Sequence, residues 1–520
     1  MLWHKELVIK KVALQKHLYN LKKNTPIMKF KSSTLSLVFT VFVLLIFSSC
    51  KNKNTEPTES IKPNVLLLYM DDLRPELGSY GQSQIKSPNI DALASNGIQF
   101  NEMYCNVPVC GASRASMLTG MYPTKNRFIN YNTFVSKETP NAVTLPMLFK
   151  QNGYTTISNG KVYHHLDDNM QDWDEVWRPY AFDKNNQGLT PTKHWQTLWR
   201  DYQLLENIKI YKKTGTGPAY EKAEVHDSTY IDGLVTQKVI RDLKKLKTSN
   251  KPFFLTAGFI VNHLPFNAPK KYWDLYPEDS IKQPYNNFVA KNAPIESVSS
   301  SGELRQYAFI AREGQVTDEV AKKLIHGYYA TVSYVDALIG DIMQNLKTLE
   351  LDKNTIVVLV ADHGYNLQEH AQWAKFTSHK TSMQVPFIIS TPTIKKGAVS
   401  NALLELVDIY PTLIELCGLE APGNQLEGKT FVPNITNTNL KGKDFVFTKT
   451  ANAFTIKTPQ YCYTEYINPK DDTFITNMLY DHTTDPDENE NVVNKTEYQE
   501  ITTQLKTILH ANYRNNIIGE

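Results

Sequence analysis

The run Asn64-Val-Leu-Leu-Leu-Tyr-Met70 leads directly into Asp71-Asp72, so a stretch with almost nothing polar on either face ends in two adjacent carboxylates. Strands buried on both faces read this way, and such strands belong to parallel sheets covered by helices. The arrangement recurs three times. Tyr154-Thr-Thr-Ile-Ser158 runs into Asn-Gly-Lys161, and Pro252-Phe-Phe-Leu-Thr-Ala-Gly258 leads to Asn262-His-Leu-Pro-Phe266. Thr355-Ile-Val-Val-Leu-Val360 ends in Ala-Asp-His-Gly364. Ligands of open α/β sheets bind in the crevice beyond the carboxyl ends of the strands, so four separate runs point at one rim. From Lys323 to Leu349, Leu324, Tyr328, Val332, Val335, Ile339, Ile342 and Leu346 recur at three- and four-residue steps, which predicts one helix packed on the sheet. The fold class expected is α/β, with a large, mainly parallel central sheet flanked by helices.

After about residue 400 the texture changes. Val407–Leu416 reads as an amphipathic helix, followed by strand-like runs around Asp444–Thr448 and Tyr461–Tyr466, a turn-rich Asp481–Glu490 and a last helix near Tyr498–His510. These predict a smaller C-terminal α+β subdomain over 426–520, after a catalytic domain over 63–425. The 520 residues have room for both, and 41% hydrophobic residues mark a globular chain. A net charge of +3 with scattered basic residues gives no reason to expect a nucleic-acid partner. Met28-Lys-Phe-Lys, the apolar Leu35–Phe47 and Ser48-Ser-Cys50 have the order of a signal peptide. The apolar stretch is short for a membrane span of about 20 residues. It resembles a bacterial lipoprotein signal, which makes Met28 the start, residues 1–49 over-called start plus signal, Cys50 the lipid-bearing residue, and 50–62 a polar tether. That implies an exported chain anchored to membrane on the periplasmic or outer-membrane surface. Five cysteines are too few for a disulfide framework.

Asp71, Asp72, Asp362 and His363, brought together at strand ends, make a hard, oxygen-rich site that suits Ca²⁺ or Mg²⁺ better than zinc. Alone, Asp-Asp fits a helix cap or a solvated turn equally; the second cluster after a second buried strand favours a metal. Between these lies Cys110-Gly-Ala112-Ser-Arg114, with Leu118-Thr119-Gly120 just beyond. A lone cysteine is as readily a small buried hydrophobe as a nucleophile.

Taken together, Cys110-x-Ala-x-Arg114, Leu118-Thr-Gly120 and the two acidic clusters resemble the formylglycine-dependent sulfatases of the alkaline phosphatase superfamily. Glu369-His-Ala-Gln-Trp-Ala-Lys-Phe376 resembles their iduronate-2-sulfatase branch, and Leu479-Tyr-Asp and Thr484-Asp-Pro-Asp-Glu-Asn489 are similar to the family's closing segment. The resemblance implies an alkaline-phosphatase-like sheet and oxidation of Cys110 to Cα-formylglycine before folding, by a maturing enzyme that becomes a necessary partner. It implies one divalent cation, Ca²⁺ before Mg²⁺, held by Asp71, Asp72, Asp362 and His363 with the oxygen of residue 110. Arg114 is expected to hold the nucleophile oxygens, Lys161 to steady charge beside them and Lys375 to contact sulfate. His164 is expected to take a proton from the hydrate, and His263 to protonate the leaving alcohol. The family reaction is in-line displacement at sulfur followed by elimination of sulfate.

His165 is read as a surface residue and Trp373 as part of a sugar-facing wall. Two departures bear on substrate: Val261-Asn262 precedes His263 where iduronate sulfatases carry Lys-Pro, and Cys462 stands where relatives often have arginine. The substrate expected is a sulfated saccharide, either an algal polymer such as ulvan or glycosaminoglycan fragments. Alternatives are a phosphonate or phosphodiester hydrolase of the same superfamily, or a non-catalytic carbohydrate-binding lipoprotein.

Overall fold

Val65 to Met70 are all fully buried, as a strand apolar on both faces requires. The computed structural model describes residues 62–178, 199–393 and 397–514; the expected signal, Cys50 and the tether to Ile61 lie outside the described residues. In chain order the strands are β1 (Asn64–Met70), β2 (Ile98–Tyr104), β3 (Thr155–Gly160), β4 (Glu175–Trp177), β5 (Tyr220–Ala223), β6 (Phe253–Gly258), β7 (Phe266–Pro269) and β8 (Thr355–Ala361). They continue as β9 (Asn366–Leu367), β10 (Trp373–Ala374), β11 (Gln384–Ser390), β12 (Ala398–Ser400), β13 (Leu404–Glu405), β14 (Val446–Lys449), β15 (Ala453–Lys457), β16 (Tyr461–Ile467) and β17 (Phe474–Asp481).

The central sheet runs β12-β2-β11-β8-β1-β6-β3-β4, with β13 also on β2. β8, β1, β6, β3 and β4 are parallel, and β11 runs antiparallel to both β8 and β2. The four runs read from the sequence are therefore four adjacent strands, so their polar ends meet along one edge. Pro386 lies in β11 where the register shifts between Val385 and Phe387, a place that tolerates a residue without an N–H. Where β3 and β6 end, the two backbones touch. Gly160 has φ +70, and a Cβ on Gly258 would lie 2.3 Å from the Lys161 carbonyl oxygen; only glycines allow that approach.

The long helix spans Asp318–Thr348, beginning ahead of the expected Lys323. The Thr317 hydroxyl accepts the Val320 N–H, and Asp318 and Glu319 occupy the first turn, so capping and dipole extend it. All seven residues of its predicted stripe are buried. A 3₁₀ turn, Leu406–Asp408, precedes the Ile409–Leu416 helix.

β14 to β17 form the antiparallel sheet of the C-terminal subdomain. Its two faces have different partners, as the two-residue period of a strand demands. Cys462, Tyr466, Met478 and Tyr480 join the main core, whereas Tyr463, Ile467 and Leu479 pack with Leu505 and Leu509 of the Gln499–Leu509 helix.

Candidate active site

Asp71 and Asp72 leave β1, Lys161 leaves β3, His263 follows β6, and Asp362 and His363 leave β8. The strand order β8-β1-β6-β3 sets these four ends side by side. Cys110 joins them as the first residue of the Cys110–Thr119 helix, every residue of which is buried. Its helix position directs unpaired N–H groups and the positive end of the dipole at the same spot. Asp72 has φ +61. Its carbonyl accepts from the Tyr328 hydroxyl (2.8 Å) and its N–H donates to Asp362 Oδ1 (3.2 Å), so the long helix and β8 both hold the acidic turn.

His363 Nε2 lies 3.3 Å from Cys110 Sγ and 3.4 Å from Asp72 Oδ1. Its Nδ1 faces the Gly364 carbonyl at 2.9 Å. That oxygen only accepts, so Nδ1 carries the proton and Nε2 presents a lone pair toward the cluster. One ligand atom from each of Asp71, Asp72, Cys110 and His363 lies within 4.8 Å of the others. Asp71 Oδ1 is buried without a hydrogen-bond partner, with Arg114 Nη2 3.5 Å away. The orphaned oxygen, the lone-pair nitrogen and the carboxylate set fit a divalent cation. Asp362 is at the margin: Oδ1 is 3.6 Å from His363 Nε2, while Oδ2 accepts from Arg114 Nε at 2.8 Å.

Formal charges point the same way. Asp71, Asp72, Asp362 and Glu303 carry four negative charges; Arg114, Lys161 and Lys375 carry three positive. That surplus of buried carboxylates suits a site that takes a cation. Burial favours neutral carboxyls, yet Lys161 and Arg114 hold Asp71 well below the ordinary range. For Asp72, burial prevails over Lys375 and raises it. Burial, then Asp71, push the Cys110 thiol well up. His164 is driven well down by burial and by Lys161.

Lys161 Nζ bonds Asp71 Oδ2, and Lys375 Nζ donates to both oxygens of Asp72 at 2.9 Å. Lys375 also donates to Glu303 Oε1 (3.0 Å), which lies 2.9 Å from His263 Nε2. His263 Nδ1 faces the Leu264 carbonyl at 2.7 Å. Both ring nitrogens of His263 thus face acceptors. Trp199 stacks on His263 with centroids 4.7 Å apart and lies 5.1 Å from Lys161 Nζ. Glu303 stands in a turn and Trp199 is a helical residue at the edge of the described segment; sequence reasoning missed both.

The hydrogen bonds of Arg114 go to Asp362 and to the carbonyls of Met70, Lys161 and Val162, so it clamps strand ends beside residue 110. Two expectations change. His165 is buried and stacked on Phe134, centroids 3.6 Å apart; His164 is the more open of the pair, its Nδ1 without a partner. Trp373 is only 2% exposed, a core side chain with no face for a sugar. Cys462 is fully buried and lies against Glu488. The described cysteines Cys105, Cys110, Cys417 and Cys462 are all free thiols. Among the described residues, no helix is long and apolar enough to cross a membrane.

The family described as Sulfatase matches residues 63–419, and that described as N-sulphoglucosamine sulphohydrolase, C-terminal, matches 368–515. The chain is 32% identical over 396 residues to iduronate 2-sulfatase of Homo sapiens, covering 69% of this chain and 70% of that protein. Among solved structures, one described as a complex with its substrate D-glucosamine-2-N,6-O-disulfate aligns with a TM-score of 0.69 at 22% identity, over 88% of this chain and 99% of that one. A phosphonate monoester hydrolase from Silicibacter pomeroyi aligns with a TM-score of 0.70 at 20% identity, over 87% and 96%. At these identities the structural likenesses establish the fold.

Proposed function

This chain belongs to the sulfatase family and is a sulfuric ester hydrolase, and from that premise we propose that it removes sulfate from a sulfated saccharide with residue 110, matured to formylglycine, as nucleophile. The observation that carries the reading is the meeting of Cys110 with His363, Asp71 and Asp72 at a helix N-terminus. In this structure Cys110 Sγ stands where an oxygen of the formylglycine hydrate would be. A cation bound by Asp71, Asp72, Asp362 and His363, Ca²⁺ before Mg²⁺ on an oxygen-rich donor set, would draw charge from a sulfate oxygen.

The remaining work falls to the chain's own groups. Lys375 and Lys161 bring positive charge to the sulfate, in a buried setting where it counts for more than in water. His263 Nε2, held by Glu303 Oε1, is placed to give its proton to the departing alcohol oxygen. His164, neutral and with an unpartnered Nδ1, is suited to accept a proton from a hydroxyl on residue 110. A saccharide substrate is supported by the sulfated glucosamine of the structural relative and the name of the iduronate relative; ulvan fragments and glycosaminoglycan fragments both remain within it. The Met28–Cys50 pattern supports export and a lipid anchor on Cys50.

The test is chain co-expressed with a formylglycine-generating enzyme, assayed for sulfate release from ulvan and glycosaminoglycan oligosaccharides beside phosphonate and phosphodiester analogues. We expect an aldehyde mass on the Cys110 peptide, and sulfate release lost in Cys110→Ala. Faster cleavage of the phosphorus esters would move the chain to the hydrolase alternative. An aldehyde without release from any saccharide would leave the carbohydrate-binding reading.

A further inference from the structure

His263 ends the turn Ile260-Val-Asn-His263 that follows β6, and every backbone N–H of that turn has a partner. The Ile260 and Val261 N–H groups donate to Asp232 Oδ1 and Oδ2, each at 2.9 Å. The Asn262 N–H donates to the Asp71 carbonyl at 2.9 Å, and the His263 N–H closes the turn on the Ile260 carbonyl at 2.9 Å. The Asn262 side chain reaches the long helix, its Nδ2 donating to Thr331 Oγ1 at 2.9 Å. We propose that Asp232 and Thr331 are positioning residues for sulfate-ester cleavage, which act through this turn to fix where His263 Nε2 stands against the departing alcohol oxygen. The inference rests on the acid role given to His263 above and names the groups that set its aim.

Asp232 lies in the first turn of the Ile231–Lys247 helix and is fully buried. Its two oxygens are spent on two consecutive N–H groups, so a single carboxylate fixes both the place and the tilt of the peptide between them. The positive end of the helix dipole favours the anion there. Among the described residues no cationic side chain bonds it, and burial pushes its carboxyl up to about 7. A carboxylate shifted by burial beside a reacting group is a mark of functional sites.

The other tether explains a departure in the sequence. Proline, which iduronate sulfatases carry at the place of Asn262, has no N–H to give the Asp71 carbonyl and no polar side chain to reach Thr331. Asn262 does both in this chain. The division of labour at His263 is then clear. Glu303 and the Leu264 carbonyl face the ring nitrogens and set its rotation, while Asp232 and Thr331 place the backbone from which the ring projects. Moving a catalytic group by about 1 Å can cost about 100-fold in rate, so a loosened turn would be felt at Nε2.

The test is a double-mutant cycle between Asp232→Asn and His263→Ala in the matured full chain. Sulfate release is measured from the ulvan or glycosaminoglycan oligosaccharide that the wild type cleaves, and from 4-nitrophenyl sulfate. In Asp232→Asn the amide accepts one N–H and turns its own donors toward the other. We expect kcat on the saccharide to fall about 10- to 100-fold with KM within about twofold, and cleavage of 4-nitrophenyl sulfate, whose phenolate leaves without a proton, to fall less than about threefold. In the His263→Ala background, Asp232→Asn should change the saccharide rate by less than about twofold, because its effect runs through the histidine. Should Asp232→Asn not fold, Thr331→Val, which removes the acceptor of Asn262 Nδ2, carries the same cycle with an expected loss of about 3- to 10-fold. Additive losses in the cycle, or equal losses on the two esters, would overturn the positioning role while leaving the acid role intact. His263→Ala cleaving the saccharide at the wild-type rate would instead sink the acid role, and this proposal with it.

Discussion

Arg114 gives the most direct test of how the strand ends are held. It is fully buried, and one planar group serves acceptors from three strands. Nε donates to Asp362 Oδ2 at 2.8 Å, Nη2 to the Met70 carbonyl at 3.1 Å, and Nη1 to the carbonyls of Lys161 and Val162. In Arg114→Lys the charge survives but the fork does not. An ammonium seated on Asp362 leaves the Lys161 and Val162 carbonyls without that donor, while Met70 keeps a second one, the Asp362 N–H at 3.3 Å. Each buried acceptor left unpaired costs about 1–3 kcal/mol, so the variant should lose about 2–6 kcal/mol, a large part of the 5–15 kcal/mol typical of a domain. The assay is urea unfolding of the unmatured thiol form in excess EDTA, followed by tryptophan fluorescence and circular dichroism. Neither maturation nor metal then enters. The midpoint should fall at unchanged m-value. A loss below about 0.5 kcal/mol, the range of surface substitutions, would refute the clamp.

Glu303→Gln keeps the shape of the bridge between Lys375 and His263 but removes its charge. It should lower kcat/KM about 10- to 100-fold, mainly in kcat, in steady-state sulfate release, and activity within twofold of wild type would show that Glu303 positions nothing. Gly258→Ala forces a Cβ against the Lys161 backbone, and should cost about 1–3 kcal/mol by denaturation while displacing Lys161; an unshifted midpoint would contradict the close approach. Burial lowers Lys449 to about 8 from 10.5. Between those values the unfolded chain binds more protons, so stability should rise by about 3 kcal/mol from pH 8 to 10.5, and below pH 8 the whole cost is present. Lys449→Met should flatten that rise in stability-versus-pH curves, and a slope equal to wild type would exclude Lys449 as its source.

What the sequence disclosed follows from which forces act locally. Strands β8, β1, β6 and β3 are legible because each is buried on both faces and carries no competing pattern. β2, with Gln99, Asn101 and Glu102 among its apolar residues, and β11, with Pro386, are not. Asp71, Asp72, Lys161, Asp362 and His363 were found because each stands directly beyond a legible strand. Glu303 stands just before the Leu304–Gln306 turn, where nothing in its neighbours marks it; only the tertiary path brings it to Lys375. The exchange of burial between His164 and His165 was hidden for the same reason, since an irregular loop has no period to say which side chain turns inward.

The central place of β8 has a consequence in time. β1 pairs with β6 on one side and β8 on the other, and Asp72 meets Asp362 across 290 residues of chain. At about 5–20 residues per second of synthesis, roughly 15–60 s separate the emergence of the two. Until β8 arrives, nothing can cover that side of β1, and the Cys110–Thr119 helix lacks the Asp362 contact on which Arg114 and Ser113 close. The topology therefore leaves Cys110 without that closure while the 252 residues up to Asp362 are made, just under half of the chain. A shorter crossover between the two halves would narrow that interval without altering a single residue at the rim.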